Sequence, residues 1–208
     1  VRGLQSHDRP AASLGPGSRA AINVTGVDRI HRGNMLGRPA AFGTTTEFLA
    51  TLQPVRRAPE ELSSRGAFHL HIGTGSWPTR LRLLTSDAAI LRTPQPVPLQ
   101  MGDRFILRDT GRRAVVAGGR VLDPHPVQDG APLRKAAADL HAALQADPAG
   151  RADALLEVRG SGNLTNIYQD SGGGRPRSPF GDGETVMAEA TAARLVEALV
   201  AAAAEFHS

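Results

Sequence analysis

Cysteine is absent from the 208 residues of this sequence. Its absence excludes a disulfide scaffold, a thiol nucleophile and a zinc site that uses thiolate ligands. No apolar run approaches the roughly 18–20 residues that a membrane-spanning helix requires, so no such span is predicted. Lysine is nearly missing as well, because 23 of the 24 basic residues are arginine and only Lys135 is lysine. With 40% hydrophobic residues, the chain can still bury a core of one or two domains.

Motifs of common catalytic sites are also missing. There is no G-x-x-x-x-G-K-[ST] phosphate loop, which excludes nucleotide binding by that route. Gly160-Ser161-Gly162 matches only part of a nucleophile elbow, and no predicted strand precedes it. No pair of carboxylates is placed for acid–base catalysis. The sequence therefore gives no support for an enzymatic site within these residues.

Charge is divided unevenly along the chain. Residues 1–126 carry 17 arginines against nine acidic residues, an excess of eight positive charges. Residues 127–208 carry seven basic and eleven acidic residues, an excess of four negative charges. A basic block followed by an acidic one predicts two parts with different partners. An excess of arginine on one part is typical of a surface that binds nucleic acid or another polyanion, and a solvated face without a partner is the alternative.

Hydrophobic patterning changes from strand-like to helical along the chain. Residues 68–72 and 79–84 alternate between apolar and polar side chains, as half-buried strands do. Similar short segments with Gly and Pro turns between them predict a barrel or a sandwich. Beyond residues 124–131, the apolar residues fall at helical spacing, and residues 184–206 are rich in alanine. The predicted fold class is therefore mainly β followed by α.

Two histidines and two arginines occupy the outward positions of the consecutive strands 68–72 and 79–84. If these strands form a hairpin about Gly75-Ser76, His71 faces Arg80 and His69 faces Arg82. Like charges opposite one another on a sheet are unfavourable, so such a face is explained by a polyanion that lies on it. Two solvated arginines without a partner are the alternative interpretation.

His69 and His71 also permit a metal-binding interpretation. Side chains two residues apart on a strand share a face, which suits a metal ion with imidazole ligands. The sequence marks no third ligand, although His31 is a candidate. The alternative is two polar side chains on the outward side of a half-buried strand.

Several segments, taken in order, resemble the barrels of translational GTPases, and most of all the bacterial selenocysteine-specific elongation factors. VRGLQSH at 1–7, GSRAAINVTG at 17–26 and IHRGNML at 30–36 resemble the second half of domain II. FHLHIGT at 68–74, GDRFILRD at 102–109 and AGGRVLDP at 117–124 resemble strands of domain III. Elongation factor Tu shares these two domains, but its chain ends after domain III. The helical continuation here resembles the first winged-helix module of the selenocysteine-specific family.

The resemblance implies a division into three parts. Residues 1–39 correspond to the second half of the domain II β-barrel, and residues 40–126 to the domain III β-barrel. Residues 127–208 correspond to a linker and the first winged-helix-like module. Residues 168–183 depart from the family pattern, because they are rich in Gly, Pro and Ser where a second helix and a wing hairpin are expected. This acidic module fits a spacer better than a reader of RNA.

The resemblance also implies a function. The family delivers selenocysteyl-tRNA to the ribosome at recoded stop codons and hydrolyses GTP with an N-terminal domain. We expect this chain to be a fragment without that domain, hence not an enzyme by itself and without a cofactor. GTP and Mg²⁺ are then expected in the missing domain. Recognition of the selenocysteine-insertion mRNA hairpin is expected in missing C-terminal modules, and a cytoplasmic location without a membrane partner follows.

Specific residues are implied by the same comparison. Arg19 matches the family arginine of domain II that lines the selenocysteine pocket, where a guanidinium favours an anionic selenolate over a neutral serine hydroxyl. Domain III of the family grips the acceptor and T stems of tRNA. The residues expected to bind tRNA here are His69, His71, Arg80, Arg82, Arg104 and Arg108. Gly33, Gly118 and Gly119 are expected to be turn residues.

One function of a different class stays open at this point, a non-translational β-barrel that binds a metal ion through His69 and His71. A weaker third possibility is an elongation factor of the Tu type, against which the helical extension argues. Stoichiometric zinc would favour the metal-binding barrel, and salt-sensitive tRNA binding without metal would favour the translation factor.

Overall fold

The structure is a computed structural model. It describes residues 1–26, 28, 30–55, 62, 64–127, 129–177 and 180–206, with side chains through residue 202. By their internal contacts, the residues form two compact units, Val1–Asn34 and Met35–Ser208. The boundaries at 39/40 and 126/127 that the resemblance implies stay predictions. None of the helices in the described ranges combines the length and the hydropathy needed to cross a bilayer.

The first unit contains a small antiparallel sheet. Its strands are β1 (Gly3–Ser6), β2 (Arg9–Ala11) and β3 (Ala21–Asn23), in the order β2-β1-β3. The turn between the first two strands consists of His7 and Asp8, whose φ angles are 50° and 61°. Two successive positive φ angles are characteristic of the tight hairpin turn whose twist matches that of the strands.

A closed β-barrel forms the first part of the second unit. Its strands are β4 (Gly43–Thr51), β5 (Gln53–Pro54), β6 (Phe68–Ile72), β7 (Gly75–Leu83), β8 (Ala88–Leu99), β9 (Arg104–Asp109) and β10 (Ala114–Asp123). The order is β4-β8-β7-β6-β9-β10-β5, and pairing of β4 with β10 closes six strands into the barrel. Every pairing is antiparallel. The predicted barrel is thus confirmed.

The barrel strands fall into two classes by their burial. On β6, β7 and β9, buried residues alternate with residues that face outward. On β4 and β8, runs of consecutive residues are buried, such as 48–52 and 88–91. Phe48 and Leu91 belong to the interior core, whereas Leu49 and Ile90 belong to a second core outside the barrel. A strand that is buried on both faces has a continuous run of apolar residues. The runs on β4 and β8 therefore mark the side of the barrel that another layer covers.

The covering layer is helical. It consists of α1 (Gly130–Ala143), α2 (Pro148–Arg159), β11 (Ser161–Asn163), α3 (Leu164–Asp170), β12 (Phe180–Gly181), β13 (Thr185–Met187) and α4 (Glu189–Phe206). Side chains of Asp129, Asp147 and Asn163 cap the first three helices. The strands form a small sheet in the order β11-β13-β12. The hairpin β12–β13 supplies the element expected of a wing, next to the Gly-, Pro- and Ser-rich residues 168–183. The predicted helix over 184–206 begins only at residue 189, because residues 185–187 pair with β11.

A second hydrophobic core joins the helices to the barrel. Leu49, Ile90 and Leu122 extend outward from the barrel and pack with Leu133 and Leu140 of α1. All five are almost completely buried. Burial of a leucine or isoleucine side chain contributes roughly 1.5–3 kcal/mol, so this core binds the two layers firmly. For this reason residues 35–208 form one compact unit.

A buried ionic network lies where the last barrel strand meets the helices. Arg159, at the end of α2, donates from Nη2 to Asp170 Oδ2 at 2.7 Å and also to Asp123 at the end of β10. The side chains of Arg159, Asp123 and Asp170 are 5%, 2% and 0% exposed. Removal from water is costly for each charge, and mutual pairing offsets that cost.

His125 completes this network. Its Nδ1 lies 2.9 Å from Asp170 Oδ2, and its Nε2 lies 3.2 Å from the carbonyl oxygen of Thr44. Both partners can only accept, so both hydrogen bonds form together only when the ring carries two protons. The hydrogen bond to Asp170 therefore raises the pKa of His125 above its usual value, against the opposing effect of burial. When His125 is protonated, it and Arg159 together balance the charges of Asp123 and Asp170.

The network makes Arg159 essential for stability. Arg159→Met would leave two buried carboxylates without their guanidinium, which costs about 3–5 kcal/mol when one partner of a buried pair is removed. Chemical denaturation measures the change in the free energy of unfolding. Arg134→Met, on the exposed side of α1, is the matched control and should cost less than about 0.5 kcal/mol. Equal effects of the two substitutions would contradict the role assigned to the network.

The network also predicts a pH dependence. A group whose pKa is raised by folding stabilises the folded state fully below its unfolded pKa of about 6.5, and this contribution disappears as the pH rises through the folded value. The wild-type protein should therefore exceed His125→Gln in stability at about pH 5.5 by more than at about pH 8.5. Thermal denaturation at both pH values measures the difference. A gap that widens toward high pH would contradict the assignment.

Candidate nucleic-acid interface

The outer surface of the barrel is basic on strands whose outward side chains the helices do not bury. We call this surface the basic face. It lies on the outward side of three neighbouring strands, β7, β6 and β9, and consists of His69, His71, Arg80, Arg82, Arg104 and Arg108. The structure thus brings to one surface the six residues that the sequence analysis expects to bind tRNA. The remaining outward positions on these strands are Ser76, Pro78 and Ile106, so no outward position carries an acidic residue.

The register of the β6–β7 hairpin differs from the predicted one. Ile72 pairs with Gly75, so the turn consists of Gly73 and Thr74 rather than Gly75 and Ser76. Gly73 has a φ of 54°, which suits the first position of a two-residue hairpin turn. The predicted pairs of His71 with Arg80 and of His69 with Arg82 are therefore wrong.

In the observed register, the histidines face small or neutral residues of β7. His71 lies opposite Ser76, and His69 lies opposite Pro78. The Nδ1 atom of His69 is 3.2 Å from the hydroxyl oxygen of Ser76. On the other side, His69 lies opposite Arg108 of β9. The histidine–arginine pair that the sequence predicts along β6–β7 thus occurs between β6 and β9.

The arginines of the basic face differ in how far they are neutralised. Arg82 forms an ion pair with Asp129 at 3.0 Å. Arg108 donates from its guanidinium to the carbonyl oxygen of Arg113 at 2.8 and 3.1 Å, which orients its side chain without cancelling its charge. Within the described ranges, neither Arg80 nor Arg104 forms an ion pair. The side chains of Arg80, Arg104 and Arg108 therefore keep most of their positive charge available to a ligand.

Arg80 faces another arginine across the sheet. Its partner on β8 is Arg92, which forms an ion pair with Glu47 of β4. Directly opposed like charges destabilise a sheet, and Glu47 relieves only one member of this pair. The arrangement favours an anion that approaches Arg80 from solvent.

His69 and His71 share a face, and among the described residues no further ligand joins them. The ring centroids of His69 and His71 are 6.5 Å apart, so the two side chains do share a face. In the part of the chain that the structure describes, no group of three or more His, Cys, Asp or Glu residues could hold a metal ion. The metal-binding interpretation therefore gains no support from the geometry.

Arg19 belongs to the first unit. It lies just before β3 and is exposed, and its backbone carbonyl accepts a hydrogen bond of 3.2 Å from Ser6 Oγ. Among the described residues, no carboxylate pairs with its guanidinium. The side chain is thus free to meet an anion.

Comparison with known proteins identifies the barrel. Residues 50–128 match the family model described as the beta-barrel domain of selenocysteine-specific elongation factors. Residues 50–128 therefore form a barrel domain of the kind found in selenocysteine-specific elongation factors. Curated members from Desulfomicrobium baculatum and Escherichia coli (strain K12) are each 30% identical, over 60% and 62% of this chain respectively. The chain spans 21% of the length of either relative.

Solved structures agree on the fold. A crystal structure of a bacterial selenocysteine-specific elongation factor covers 99% of this chain with a TM-score of 0.75 and 16% identity, and this chain covers 34% of it. The apo form of the translation elongation factor SelB from Methanococcus maripaludis covers 61% of this chain with a TM-score of 0.52 and 16% identity, and this chain again covers 34% of it. At this level of identity the likeness concerns the fold alone.

Proposed function

We propose that this chain is the part of a selenocysteine-specific elongation factor that holds selenocysteyl-tRNA for delivery to the ribosome at recoded stop codons. The match of residues 50–128 to the barrel domain of that family and the basic face support this proposal together. GTP and Mg²⁺ would bind a domain outside these residues, as would the selenocysteine-insertion mRNA hairpin. The chain itself contributes binding rather than catalysis.

The observation that carries the proposal is the composition of the basic face. Nine outward positions on three adjacent strands hold four arginines and two histidines and no carboxylate. A duplex RNA stem presents phosphates and 2′-hydroxyls over a wide, shallow groove, and proteins recognise it through these groups and its shape. Arginine matches phosphate with a planar fork of donors. A barrel surface studded with such forks can grip an RNA stem without reading its sequence.

Substitutions on the basic face should weaken RNA binding in proportion to the charge that each arginine has available. Arg80→Gln and Arg108→Gln should each lower the affinity for a transfer RNA and reduce the slope of log K against log salt by up to about 0.9. Arg82→Gln should have a smaller effect, because Asp129 already neutralises Arg82. Fluorescence anisotropy over a salt series measures both quantities.

Arg194→Gln, on α4, is the matched control for the loss of one arginine. Its guanidinium donates hydrogen bonds to Ala190 and Thr191 of its own helix, and it forms no ion pair among the described residues. If the basic-face variants bind RNA with the affinity and salt slope of this control, the basic face is not the RNA site. If the unaltered chain itself shows no salt-sensitive RNA binding, the proposed function is wrong.

Arg19 is proposed to select the aminoacyl group. A selenol is largely ionised near neutral pH, whereas the serine hydroxyl is neutral, so a guanidinium discriminates between them by charge. A charge-assisted hydrogen bond of this kind contributes about 1.5–3 kcal/mol. Arg19 is exposed and forms no ion pair among the described residues, so its guanidinium is available to an anionic selenolate.

In the complete factor, Arg19→Ala should reduce affinity for selenocysteyl-tRNA by about ten- to hundredfold and leave affinity for seryl-tRNA nearly unchanged. Protection of the aminoacyl ester from hydrolysis measures both affinities. An equal loss for the two aminoacyl groups would show that Arg19 acts on the tRNA body and not on the selenium.

A further inference from the structure

A cleft between the barrel and helix α1 shares one residue, Arg104, with the basic face, and its other lining residues have no role in the function proposed above. It encloses about 810 Å³ and is bordered by strands β4, β5, β9 and β10 on one side and by the end of α1 on the other. Arg104 and Arg120 line the barrel side, and His141 and Gln145 line the helical side. Four side chains that can donate hydrogen bonds thus converge from two layers of the fold.

The two arginines of this cleft stand directly opposite each other. Arg104 of β9 and Arg120 of β10 are paired residues in an antiparallel ladder, so their side chains leave the sheet on the same face. Neither forms an ion pair within the described ranges. The carboxylate of Asp103, the residue before Arg104, instead accepts a hydrogen bond of 3.0 Å from the backbone N–H of Gln100. The fold therefore maintains an unrelieved like-charge contact at this point.

The floor of the cleft is made of backbone. Gly118 and Gly119 lie within β10 and not in a turn, which corrects the prediction made for them. A Cβ atom at Gly119 would collide with the carbonyl oxygen of Thr51 on β4, so glycine is required for the strands to approach. The absence of side chains at both positions leaves the cleft open beside Arg120.

The C-terminal end of α1, which borders the cleft opposite the arginines, repels an anion only weakly. The C-terminal end of α1 carries about half a negative charge, whereas the two arginines carry two full positive charges. Among the described residues, the cleft lining contains no aspartate or glutamate. The field inside the cleft is therefore positive.

We propose that this cleft binds a phosphodiester group of an RNA backbone, held between Arg104 and Arg120 and contacted by His141 of α1 and by Gln145 of the turn that follows α1. The proposal rests on the RNA-binding function above and extends it, because it assigns the helical module a part in gripping RNA rather than the role of a spacer. A phosphate between two guanidinium groups also explains why the sheet tolerates their opposition.

The test compares the double variant Arg104→Gln/Arg120→Gln with Arg134→Gln/Arg194→Gln, which removes the same charge outside the cleft. Anisotropy with a labelled RNA duplex is measured between about 50 and 300 mM salt. The cleft variant should lose about tenfold or more in affinity at low salt and lower the salt slope by roughly two, and the control should lose far less. His141→Ala/Gln145→Ala should weaken binding further than the control does.

Thermal denaturation separates a binding defect from a folding defect. Removal of opposed like charges stabilises a sheet, so Arg104→Gln/Arg120→Gln should unfold at the same temperature as the unaltered chain or a higher one. Loss of RNA affinity with retained stability supports the cleft. Affinity and slope equal to those of the control overturn it while leaving the proposed function intact, provided that the basic-face variants still weaken binding. Competition by poly-glutamate at lower charge concentration than RNA also overturns it, in favour of an acidic protein segment.

Discussion

The buried ion pairs of Arg159 with Asp123 and Asp170 hold the helices against one side of the barrel, and the other side is left open for binding. They tie the end of the last barrel strand to α2 and α3, beside a core in which Leu49, Ile90 and Leu122 meet the helices. An apolar contact alone would hold the layers together without fixing their direction, because hydrophobic burial is not directional. The buried guanidinium fixes the orientation of the helices on the barrel, because it donates directional hydrogen bonds to two carboxylates from different elements.

This attachment determines which strands are left for a ligand. The helices cover the outer sides of β4 and β8, so β6, β7 and β9 present theirs to solvent. The positive charge of residues 1–126 includes the arginines of these open strands. Acidic residues of the helical layer have other roles, because they pair with Arg159 or cap helices. The covered side of the barrel thus provides stability, and the uncovered side provides charge for a polyanion.

Local patterns in the sequence predicted much of this arrangement. Alternation at residues 68–72 and 79–84 is a property of single strands, so the barrel and its outward residues followed from it. The hairpin register did not, because Gly73-Thr74 and Gly75-Ser76 are both plausible turns and only the pairing with neighbouring strands decides between them. The opposition of Arg104 and Arg120 was missed for a similar reason, since residues sixteen positions apart become neighbours only through the ladder. The prediction of Gly118 and Gly119 as turn residues is wrong because close approach of a distant strand leaves no local signal in the sequence.

The closing contact of the barrel has a consequence for its synthesis. Ala50 on β4 pairs with Val121 on β10, so the ring depends on two segments at opposite ends of the barrel sequence. Contacts over such separations form late, because the entropy of a long loop must be lost before any pairing compensates for it. A nascent chain therefore cannot complete this barrel until β10 has left the exit tunnel. Until then β4 has an unpaired edge, which makes it a natural point of contact for chaperones during translation.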